Sequence, residues 1–573
     1  MPVHNSDIAA LFSKVADLLE IDGANAFRIR AYRNAARTIE DFSRSLADMI
    51  ANNEEVTKIP GIGKDLADKI KKIVQTGTFP QLKEIESHIP PELRDMMKIA
   101  ALGPKRVHIL YEKLKVSNIE QLEKAAKGGK VRELAGFGQK TEEKIIEEIH
   151  RKKQAPELTK LITAERIAQP LIQYLKKIKG VDKVIAAGSL RRRKEVVGDL
   201  DILATCAAGS KIMQGFVNYE EVKEIISQGE TRSTIILRTG FQVDLRVVPQ
   251  NSYGAALHYF TGSKAHNIAI RKLGQKKNLK INEYGMFRDD TRIGGKTEEE
   301  IFSSLDLAYI EPELREDRGE IEAAKKNQLP HLVTLEDIRG DLHAHTTATD
   351  GHLSLEETAH AAAQKGYQYI AITDHSKRVT MVHGLNAERL LQQIEEIDRL
   401  NRKLQGAALL KGIELDILED GTLDLPDDVL KHLDLTVCSI HYKFNLSREK
   451  QTERILRAMD NPYFTILGHP TGRLINERRP YEVDLERIIK AAKERGCFIE
   501  INAHPDRLDL TDIYCKMAKD MGVKIAISTD AHSLKHFDYL RFGIGQARRG
   551  WLGPEDVLNT RNLEDLKKLL QRK

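Results

Sequence analysis

The stretch 188–203 contains the residue types that can hold a divalent metal beside a phosphate group. It begins with a Gly-Ser turn after the apolar run Val184–Ala187, continues through basic residues, and ends in an Asp-Leu-Asp sequence inside a second apolar run. Alternate side chains of a strand lie on one face, so Asp199 and Asp201 are predicted to point the same way. Two carboxylates held that close repel each other unless a cation lies between them. The stretch therefore predicts a metal and phosphate site, against the alternative of an edge hairpin with solvated charges.

A third carboxylate is predicted to join this pair. The β-branched runs Ser233–Leu237 and Phe241–Val248 flank an Arg-Thr-Gly turn, which indicates a hairpin with Asp244 in its second strand. An isolated edge-strand carboxylate is the alternative interpretation. Because the pair at 199 and 201 lacks a third ligand from a neighbouring strand, we assign Asp244 to that place.

A second group of potential metal ligands lies after residue 340. His343 and His345 share one face of a strand end, a spacing suited to two ligands of one metal. Strand-like segments then alternate with helical ones, and most of the strand-like segments end in His, Asp or Glu. Ligands that recur at the carboxyl ends of strands in a βα repeat are typical of a barrel. One such histidine would more often be structural, but nine His, Asp and Glu side chains in one pattern predict a metal centre.

The length and composition of the chain limit the class of protein that contains these groups. A chain of 573 residues is too long for one core and predicts several domains. The composition, 41% hydrophobic and 31% charged, is that of a soluble globular protein. We find no 18-residue apolar span and no signal peptide, so a cytoplasmic, nucleoid-associated location without membrane contact is expected. Four cysteines without CxxC spacing indicate reduced thiols.

Charge and glycine patterns point to nucleic acid. Residues 1–335 have an excess of Lys and Arg, whereas residues 336–573 have a small excess of Asp and Glu. Three Gly-rich turns within 80 residues each precede a helix, whose free N–H groups can face a phosphate oxygen. The turns resemble the helix-hairpin-helix motif, which grips the DNA backbone without reading sequence. The residues predicted to bind DNA are Gly61, Gly63, Lys64, Gly103, Lys105, Gly136, Gly138 and Lys140. The middle copy has Ala101 where the first glycine is expected.

The string Gly-Ser, Arg-Arg, Gly and Asp-x-Asp resembles the nucleotidyltransferase signature of the DNA polymerase X family, in the DNA polymerase beta pattern. The Tyr-Phe-Thr-Gly-Ser sequence at 259–263, with Asn267 and Arg271, is similar to the thumb motif of that family. The resemblance implies that Asp199, Asp201 and Asp244 are catalytic and hold two Mg²⁺ or Mn²⁺ ions. It also implies a set of nucleotide-binding residues: Gly188, Ser189, Arg192, Gly198, Tyr259, Phe260, Gly262, Asn267 and Arg271.

The histidine-rich half resembles the PHP (polymerase and histidinol phosphatase) domain, a distorted (β/α)7 barrel that holds up to three metals. The resemblance places the ligands on His343, His345, Asp350, His375, Glu414, His441, His469, Asp530 and His532. Mixed His and carboxylate ligation suits Mn²⁺, Zn²⁺ or Fe better than Mg²⁺. We interpret Lys377, Arg378 and Arg473 as solvated surface charges, with contact to substrate phosphates as the alternative. Residues 502–504 are candidates for support of the ligands.

The predicted fold class is multidomain α/β, with helical helix-hairpin-helix domains, a palm with a mixed sheet, a small α+β thumb and the C-terminal barrel. We predict an N-terminal lyase-like DNA-binding domain (1–85), fingers (86–155), palm (156–248), thumb (249–317), linker (318–335) and PHP domain (336–573). The resemblance implies a monomeric repair polymerase that uses dNTPs on gapped or 3′-ended DNA with a 5′-phosphate. It further implies a 3′–5′ exonuclease, with abasic-site endonuclease or 3′-phosphatase activity as additions.

The sequence departs from the family pattern at two positions, and it allows two alternative functions. Gln242 stands where DNA polymerase beta has an arginine near the catalytic carboxylates. Lys69 aligns with the Schiff-base lysine of the deoxyribose-phosphate lyase, but Phe27 and Asp65 replace the basic phosphate ligands. The first alternative function is a DNA-end-binding scaffold with weak catalytic centres. The second is a PHP domain that acts on small phosphate esters or only supports the fold.

Overall fold

The computed structural model describes residues 5–571 except 43, 87–92, 98, 100, 101, 154–157 and 208. The chain forms two compact units, Met1–Glu157 and Leu158–Lys573. The four cysteines are free thiols, and three of them are buried. Among the helices described, none has the length and apolar composition needed to cross a membrane.

The first unit consists of helices around one apolar core. Phe12 packs edge-on against the Tyr32 ring, with 5.4 Å between ring centroids, and both contact Phe79. Apolar residues at helical spacing in the first two helices produce this core. The helices are α1 Asn5–Ile21, α2 Ala26–Glu40, α3 Leu46–Ala51, α4 Lys64–Thr76, α5 Pro80–Glu86, α6 Leu93–Met96, α7 Pro104–Leu114, α8 Ile119–Lys127 and α9 Gln139–Lys153.

The second unit opens with a mixed five-stranded sheet in the order β2-β4-β7-β6-β5, which confirms the predicted palm sheet. Strands β4 and β7 are parallel, and the other neighbours are antiparallel. This arrangement puts the carboxylate-bearing strands side by side in the middle of the sheet. The elements are β1 Thr159–Lys160, α10 Leu161–Lys176, β2 Val181–Ala186, α11 Gly188–Arg191, β3 Val196–Val197, β4 Leu200–Cys206, α12 Ile212–Val217, β5 Val222–Gln228, β6 Arg232–Leu237 and β7 Gln242–Val247.

A small α+β thumb follows the palm. Its elements are α13 Tyr253–Thr261, α14 Lys264–Lys276, β8 Lys280–Asn282, β9 Gly285–Arg288, β10 Thr291–Gly294, α15 Glu298–Ser304 and α16 Glu320–Lys325. Helix α16 lies in the segment 318–335 that the sequence suggests as a linker. Its Glu320 is fully buried 2.7 Å from His266 Nδ1, and Leu332 belongs to the thumb core. The segment is therefore packed against the thumb and is not a loose tether.

Seven parallel strand positions form the C-terminal barrel. Two parallel sheets, β11-β12-β13 and β14-β15-β16-β17-β18, are joined by bridges between His375 and Glu414 and between Ala344 and Ala531. Strands β13 and β14 are two halves of one strand position, interrupted at 412–413. The elements are β11 Gly340–Ala344, α17 Leu355–Gln364, β12 Tyr369–Ile372, α18 Ala387–Asn401, β13 Ala408–Lys411, β14 Glu414–Asp416, α19 Asp427–Leu430, β15 Val437–Ser439, α20 Arg448–Met459, β16 Ile466–Leu467, α21 Leu485–Arg495, β17 Phe498–Asn502, α22 Asp512–Met521, β18 Ile525–Ser528, α23 Leu540–Arg549 and α24 Leu563–Leu570.

The palm and the barrel share apolar core. Ile475, Leu508 and Phe542 come from the barrel, yet they belong to the same buried cluster as the palm residues Leu161 and Leu245. Each of these side chains is at least nine-tenths buried. Burial of apolar surface is the main stabilising contribution in folded proteins, so the two domains stabilise each other directly.

Candidate active sites

Three carboxylates meet at the centre of the palm sheet. Asp201 in β4 lies directly opposite Asp244 in the parallel strand β7. Asp199 lies immediately before β4, and its exposed side chain is close enough to Asp244 for their charges to interact. Hydrogen-bond register between the two strands therefore brings together the three aspartates that sequence spacing suggested.

Crowding of these carboxylates makes the site one that attracts cations. Burial raises the pKa of Asp201 to about 7, and the negative charges of Asp199 and Asp244 add to the effect. Burial and the charge of Asp244 also raise the pKa of Asp199. Carboxylates with a raised pKa in an open cleft are groups whose charge a divalent metal would compensate. The donor set is all oxygen, which fits Mg²⁺ or Mn²⁺.

Three donors hold Asp244 in position. Thr234 Oγ1 donates to Asp244 Oδ1 at 2.6 Å, and Gln242 Nε2 donates to Oδ2 at 2.8 Å. Arg232 Nη2 reaches Oδ1 at 3.2 Å from the neighbouring strand β6. Gln242, the departure noted in the sequence, thus contacts the carboxylate through its amide. Arg232 and Arg246 bring positive charge near this carboxylate.

Gly188 permits the close approach of the phosphate turn to Asp201. Its backbone has a φ of +58°, and a Cβ there would lie 3.1 Å from Asp201 Cγ and would overlap the Oδ2 atom. Only glycine fits such a position without moving the carboxylate. The Gly-Ser turn is therefore specified by the neighbouring aspartate as well as by its own conformation.

An open cleft of about 670 Å³ collects most of the predicted nucleotide residues. The cleft also contains Thr261, Lys264 and Ile268, which the sequence argument did not select. Lys264 follows the Gly-Ser of the thumb motif, and that position was the signal that could have identified it. Gly198 does not line the cleft, and no atom lies within 4 Å of the place of its Cβ. The lining predicted residues are Gly188, Ser189, Arg192, Asp199, Asp201, Tyr259, Phe260, Gly262, Asn267 and Arg271.

Side chains on the thumb side of the cleft are fixed by mutual contacts. Asn267 Nδ2 donates to the Tyr259 carbonyl at 2.7 Å, and the Arg271 guanidinium lies 4.9 Å from the Tyr259 ring centroid. Tyr259 and Phe260 pack edge-to-face, with 5.1 Å between ring centroids. An aromatic wall beside amide and guanidinium groups can contact a sugar and the polar edge of a base.

The three Gly-rich turns of the first unit have one hydrogen-bonding pattern. Ile62, Leu102 and Phe137 each donate a backbone N–H to the carbonyl three residues earlier, at 2.8–3.0 Å. The carbonyls of Gly63, Gly103 and Gly138 each accept from the N–H four residues later, at 2.9–3.0 Å. Among the described residues, no atom beyond the adjacent ones lies within 4 Å of the place of a Cβ at these three glycines. The backbone there is accessible to a phosphate group. Ala101 and the Lys105 side chain fall outside the described residues.

Lys69 lies in α4, on the helix that follows the first of these turns. Its side chain is 11% exposed and pairs with Asp65, one helical turn earlier. The ammonium group also lies 5.7 Å from the Tyr32 ring centroid. The Lys69 ammonium is thus paired with Asp65, whereas a lyase would need a free amine at this position.

The barrel gathers the nine predicted ligands at the carboxyl ends of its strands. Glu414 is central: its carboxylate lies 2.8 Å from His375 Nδ1, 3.2 Å from His441 Nε2 and 2.9 Å from His469 Nε2. Asp530 lies 3.1 Å from His345 Nε2. In the part of the chain that the structure describes, three groups have ligand atoms within 4.8 Å of one another: His345, Asp350, His375 and His532; His343, His345 and Asp530; and His375, Glu414 and His441.

Buried imidazole nitrogens show that these groups fit metal ions. Among the described residues, His343 Nε2 and His345 Nδ1 are buried without a hydrogen-bond partner, with carboxylate oxygens 3.5 and 3.6 Å away. A buried polar atom without a partner costs free energy unless something binds it. A metal ion would satisfy these nitrogens, and mixed nitrogen and oxygen donors suit Mn²⁺, Zn²⁺ or Fe.

Proton affinities in the barrel site show the same demand for positive charge. Burial opposes charge on His375, but Glu414 and Asp350 outweigh it and raise the pKa of His375 to about 10. In the same way Glu414 and Asp416 raise the pKa of His441 to about 9 against the effect of burial. Burial and the neighbouring His375 and His532 lower the pKa of His345 to about 4. Metal ions would take the place of the protons on His375 and His441, and His345 is already neutral and able to bind a metal.

Further carboxylates orient the ligands from behind. Glu500 lies 2.7 Å from His343 Nδ1 and accepts from the His469 backbone N–H, also at 2.7 Å. Asp416 lies 3.3 Å from His441 Nδ1. Such contacts fix the imidazole tautomer and raise ligand basicity. Sequence reasoning missed both; an acidic residue inside the apolar strand β17 was the available signal for Glu500. Asn502, a candidate for ligand support, donates to Asp530 Oδ2 at 3.0 Å.

The interpretation of Arg473 as a solvated surface charge is wrong. Arg473 is 8% exposed and makes a bidentate contact with Glu195 of the palm, at 3.0 and 2.6 Å. The sequence separates these residues by 278 positions, so no local pattern could show the pairing. Lys377 and Arg378 are exposed, as expected.

Family models match four parts of the chain. A helix-hairpin-helix domain matches residues 3–79, and a SAM-like helix-hairpin-helix tandem matches 93–151. A DNA polymerase beta thumb matches 256–316, and a PHP domain matches 341–504. The predicted helix-hairpin-helix, thumb and PHP domain types are therefore confirmed.

Relatives extend the likeness to the full length. The chain is 37% identical over 577 residues to a Bacillus subtilis (strain 168) protein named DNA polymerase/3′-5′ exonuclease PolX, with all of both chains covered. It is 35% identical to a probable phosphatase of Thermoanaerobacter sp. (strain X514), over 38% of this chain and 89% of that protein. It is also 35% identical to a probable phosphatase of Caldanaerobacter subterraneus subsp. tengcongensis, over 41% of this chain and 91% of that protein.

Proposed function

The chain belongs to the family of the bacterial DNA polymerase/3′-5′ exonuclease PolX, and from that premise we propose that it fills short gaps in DNA repair. Polymerisation takes place at the palm cleft, and 3′ ends are digested at the PHP metal centre. The observation that carries the proposal is the presence, in one folded unit, of two separate clusters of candidate metal ligands, the palm aspartates and the His, Asp and Glu side chains of the barrel. A scaffold with silent centres would have no need to keep buried carboxylates and imidazoles facing each other, because such groups cost stability without a ligand.

At the palm, Asp199, Asp201 and Asp244 would hold two Mg²⁺ or Mn²⁺ ions. When bound, the ions lower the pKa of the primer 3′-hydroxyl and neutralise charge on the transferred phosphoryl group. Thr234 and Gln242 keep the Asp244 carboxylate in one orientation through their hydrogen bonds. That orientation is needed because misplaced ligands lower the rate of phosphoryl transfer.

The incoming dNTP would lie along the cleft. Ser189 and Arg192 would contact the triphosphate, beside the backbone of Gly188 and Gly262. Tyr259 and Phe260 would pack against the sugar. Asn267 and Arg271 would face the minor-groove edge of the nascent base pair, where both bases present acceptors. The Gly198 backbone, the remaining predicted triphosphate contact, does not line the cleft.

At the barrel, the nine His, Asp and Glu ligands would hold up to three Mn²⁺, Zn²⁺ or Fe ions. When bound, the metals supply an activated water for attack on a phosphodiester. Glu500 and Asp416 hold two of the imidazoles in the tautomer that leaves the other ring nitrogen free for a metal. The product is a shortened DNA strand with a new 3′-hydroxyl group, which is the substrate of the palm.

The proposed DNA substrate is a short gap with a 3′ end and a 5′-phosphate, bound by a monomer at the nucleoid. The three helix N-termini after the Gly-rich turns would bind backbone phosphates without reading sequence. Lyase activity at Lys69 would require Asp65 to release the amine. These are the steps of base excision repair in which damaged 3′ ends are cleaned and a nucleotide is inserted.

A second candidate activity for the barrel is removal of 3′-phosphates, together with cleavage at abasic sites. Relatives that cover the barrel are named probable phosphatases, which favours a phosphomonoester as an additional substrate. A primer ending in a 3′-phosphate tests this: extension by the palm should require an active barrel. Extension that is equally fast when the barrel site is disabled would remove this activity from the proposal.

The experiment that tests both centres uses a gapped, 5′-phosphorylated duplex with Mn²⁺, with and without dNTPs. Asp201→Asn should abolish gap filling and spare 3′–5′ digestion, whereas His343→Asn should do the reverse. Matched controls are Asp182→Asn, in β2 outside the cleft, and His432→Asn, an exposed histidine of the barrel. Gap filling that survives Asp201→Asn would refute the polymerase site, and unchanged digestion in His343→Asn would refute the nuclease site.

A further inference from the structure

The phosphate turn of the palm rests on a helix of the barrel. Helix α23 packs Gly545 against Arg193, and a Cβ at Gly545 would already lie 3.3 Å from the Arg193 Cβ. Phe542, on the same helix, is buried in the palm core. The next turn of α23 ends at Arg549, beneath Arg192. A movement of α23 would therefore be transmitted directly to the turn that carries Arg192.

Arg549 binds this turn through its guanidinium group. The side chain is 4% exposed. Its Nη1 donates to the Arg192 carbonyl and to Glu316 Oε1, each at 2.9 Å, and its Nη2 donates to Asp512 Oδ2 at 2.6 Å. A planar guanidinium can make these three contacts at once, whereas a lysine ammonium cannot reproduce the fork.

Glu316 connects Arg549 to the side chain of Arg192. The same Oε1 atom that accepts from Arg549 accepts from Arg192 Nε at 3.0 Å. Burial opposes ionisation of Glu316, but Arg549 and Arg192 outweigh it and lower its pKa to about 2. The carboxylate is thus charged at every working pH. Arg192 is also held through Nη1, which donates to the Thr261 carbonyl at 2.5 Å.

We propose that Arg549 of the PHP domain is a positioning residue of the polymerase, which acts through Glu316 to hold Arg192 ready for the triphosphate of the incoming dNTP. The inference rests on the proposed function, in which Arg192 is a triphosphate ligand. An unheld arginine side chain loses rotamer freedom when it binds a ligand, and a side chain fixed in advance avoids that cost. Loss of the contact should therefore weaken dNTP binding more than it slows the chemical step.

The alternative is that Arg549 only joins the two domains, as neighbouring ion pairs do. Arg548 provides the matched comparison, because it is adjacent on α23 and pairs with Glu313 at 2.7 Å without touching Arg192. A contact that only stabilises the interface would give the same result when either arginine is changed. A contact that positions Arg192 would act on the dNTP dependence at position 549 alone.

The test measures single-turnover gap filling against dNTP concentration in the full chain. Arg549→Lys and Glu316→Gln should each raise the dNTP concentration for half-maximal rate on the order of tenfold, with less than a threefold change in the maximal rate. Arg548→Lys should leave both within twofold. Digestion of 3′ ends, measured on the same preparations, should be kept, which shows that the barrel is folded. Glu316→Gln is close to isosteric and serves if Arg549→Lys does not fold.

A double-mutant cycle separates this inference from the assignment of Arg192 itself. If Arg549 acts through Arg192, then Arg549→Lys should have almost no further effect on dNTP dependence in an Arg192→Ala background. Multiplicative effects of the two changes, or an equal effect of Arg548→Lys, would overturn the positioning role and leave Arg192 as a ligand. An unchanged dNTP dependence in Arg192→Ala would overturn the triphosphate assignment, and the positioning role with it.

Discussion

Gly188→Ala should inactivate the polymerase and leave the nuclease intact. The change adds one methyl group in the space occupied by the Asp201 carboxylate, 3.1 Å from its Cγ. Normal contact between carbon atoms is about 3.5–4.0 Å, and Oδ2 would overlap the new atom, so the carboxylate must move by about 1 Å. A displacement of about 1 Å in a catalytic group costs on the order of 100-fold in rate.

Backbone strain is a second effect of this change and must be separated from the collision. The φ of +58° at Gly188 lies in the left-handed region, which costs an alanine about 1–2 kcal/mol. Gly240, in the turn between β6 and β7, has a φ of +82° and no atom within 4 Å of the place of its Cβ. Gly240→Ala therefore introduces comparable strain without a collision.

The assay compares gap filling, 3′–5′ digestion and thermal unfolding for the two variants. Both should lower the Tm by a few degrees, about what 1–2 kcal/mol removes from a unit of this size. Only Gly188→Ala should lose about 100-fold in gap filling, and both should digest 3′ ends at the native rate. Gap filling above one-tenth of the native rate in Gly188→Ala would refute the argument that the turn and Asp201 are in contact.

Three more predictions follow from the electrostatics of the sites. The pKa of Asp201 is raised to about 7, so a proton competes with Mn²⁺ for its carboxylate below that pH. The Mn²⁺ affinity of the palm, compared between the native protein and Asp201→Asn, should therefore rise about tenfold from pH 6 to pH 8. A flat profile would contradict the raised pKa. Glu500→Gln should weaken metal binding at the barrel by about 10–100-fold and slow 3′ digestion, with gap filling kept and the exposed Glu494→Gln as control. Burial opposes ionisation of Glu298, but Arg191 and Arg315 outweigh it and lower its pKa to about 2. The ionised carboxylate therefore contributes on the order of 3 kcal/mol to the free energy of unfolding above pH 4.5. This contribution is lost as the pH falls towards 2. The difference in unfolding free energy between native protein and Glu298→Gln should shrink in the same range, and a difference independent of pH would exclude this ion pair as its source.

Local spacing, together with the family resemblance, was enough to predict which side chains meet at the two candidate metal sites. Asp199 and Asp201 alternate along the chain, and Asp244 follows a hairpin turn, so strand pairing alone brings them together. The barrel ligands lie at strand ends, and a βα repeat puts all such ends at one rim. In both cases the sequence separation of partners is bridged by regular secondary structure.

Contacts between distant loops could not be predicted in this way. Arg473 reads as one more charge in a basic segment, and only the folded chain shows Glu195 beside it. Residues 318–335 lack a strong apolar pattern, yet Glu320 and Arg318 are used in buried polar contacts with the thumb and the barrel. Polar residues that pair across an interface have the composition of solvated ones, so a sequence pattern cannot separate them. For the same reason, the sequence pattern does not show the contacts of Arg549 with Arg192 and Glu316.

The apolar contacts of Ile475, Leu508 and Phe542 with the palm have a consequence for how the protein melts and how it can be divided. Because both catalytic centres depend on that shared cluster, the polymerase and the nuclease should lose activity in a single cooperative transition on heating. A palm fragment that ends before the barrel would expose the palm residues of this cluster to solvent. Exposed apolar patches promote aggregation. We therefore expect that neither activity can be separated from this protein as a stable fragment.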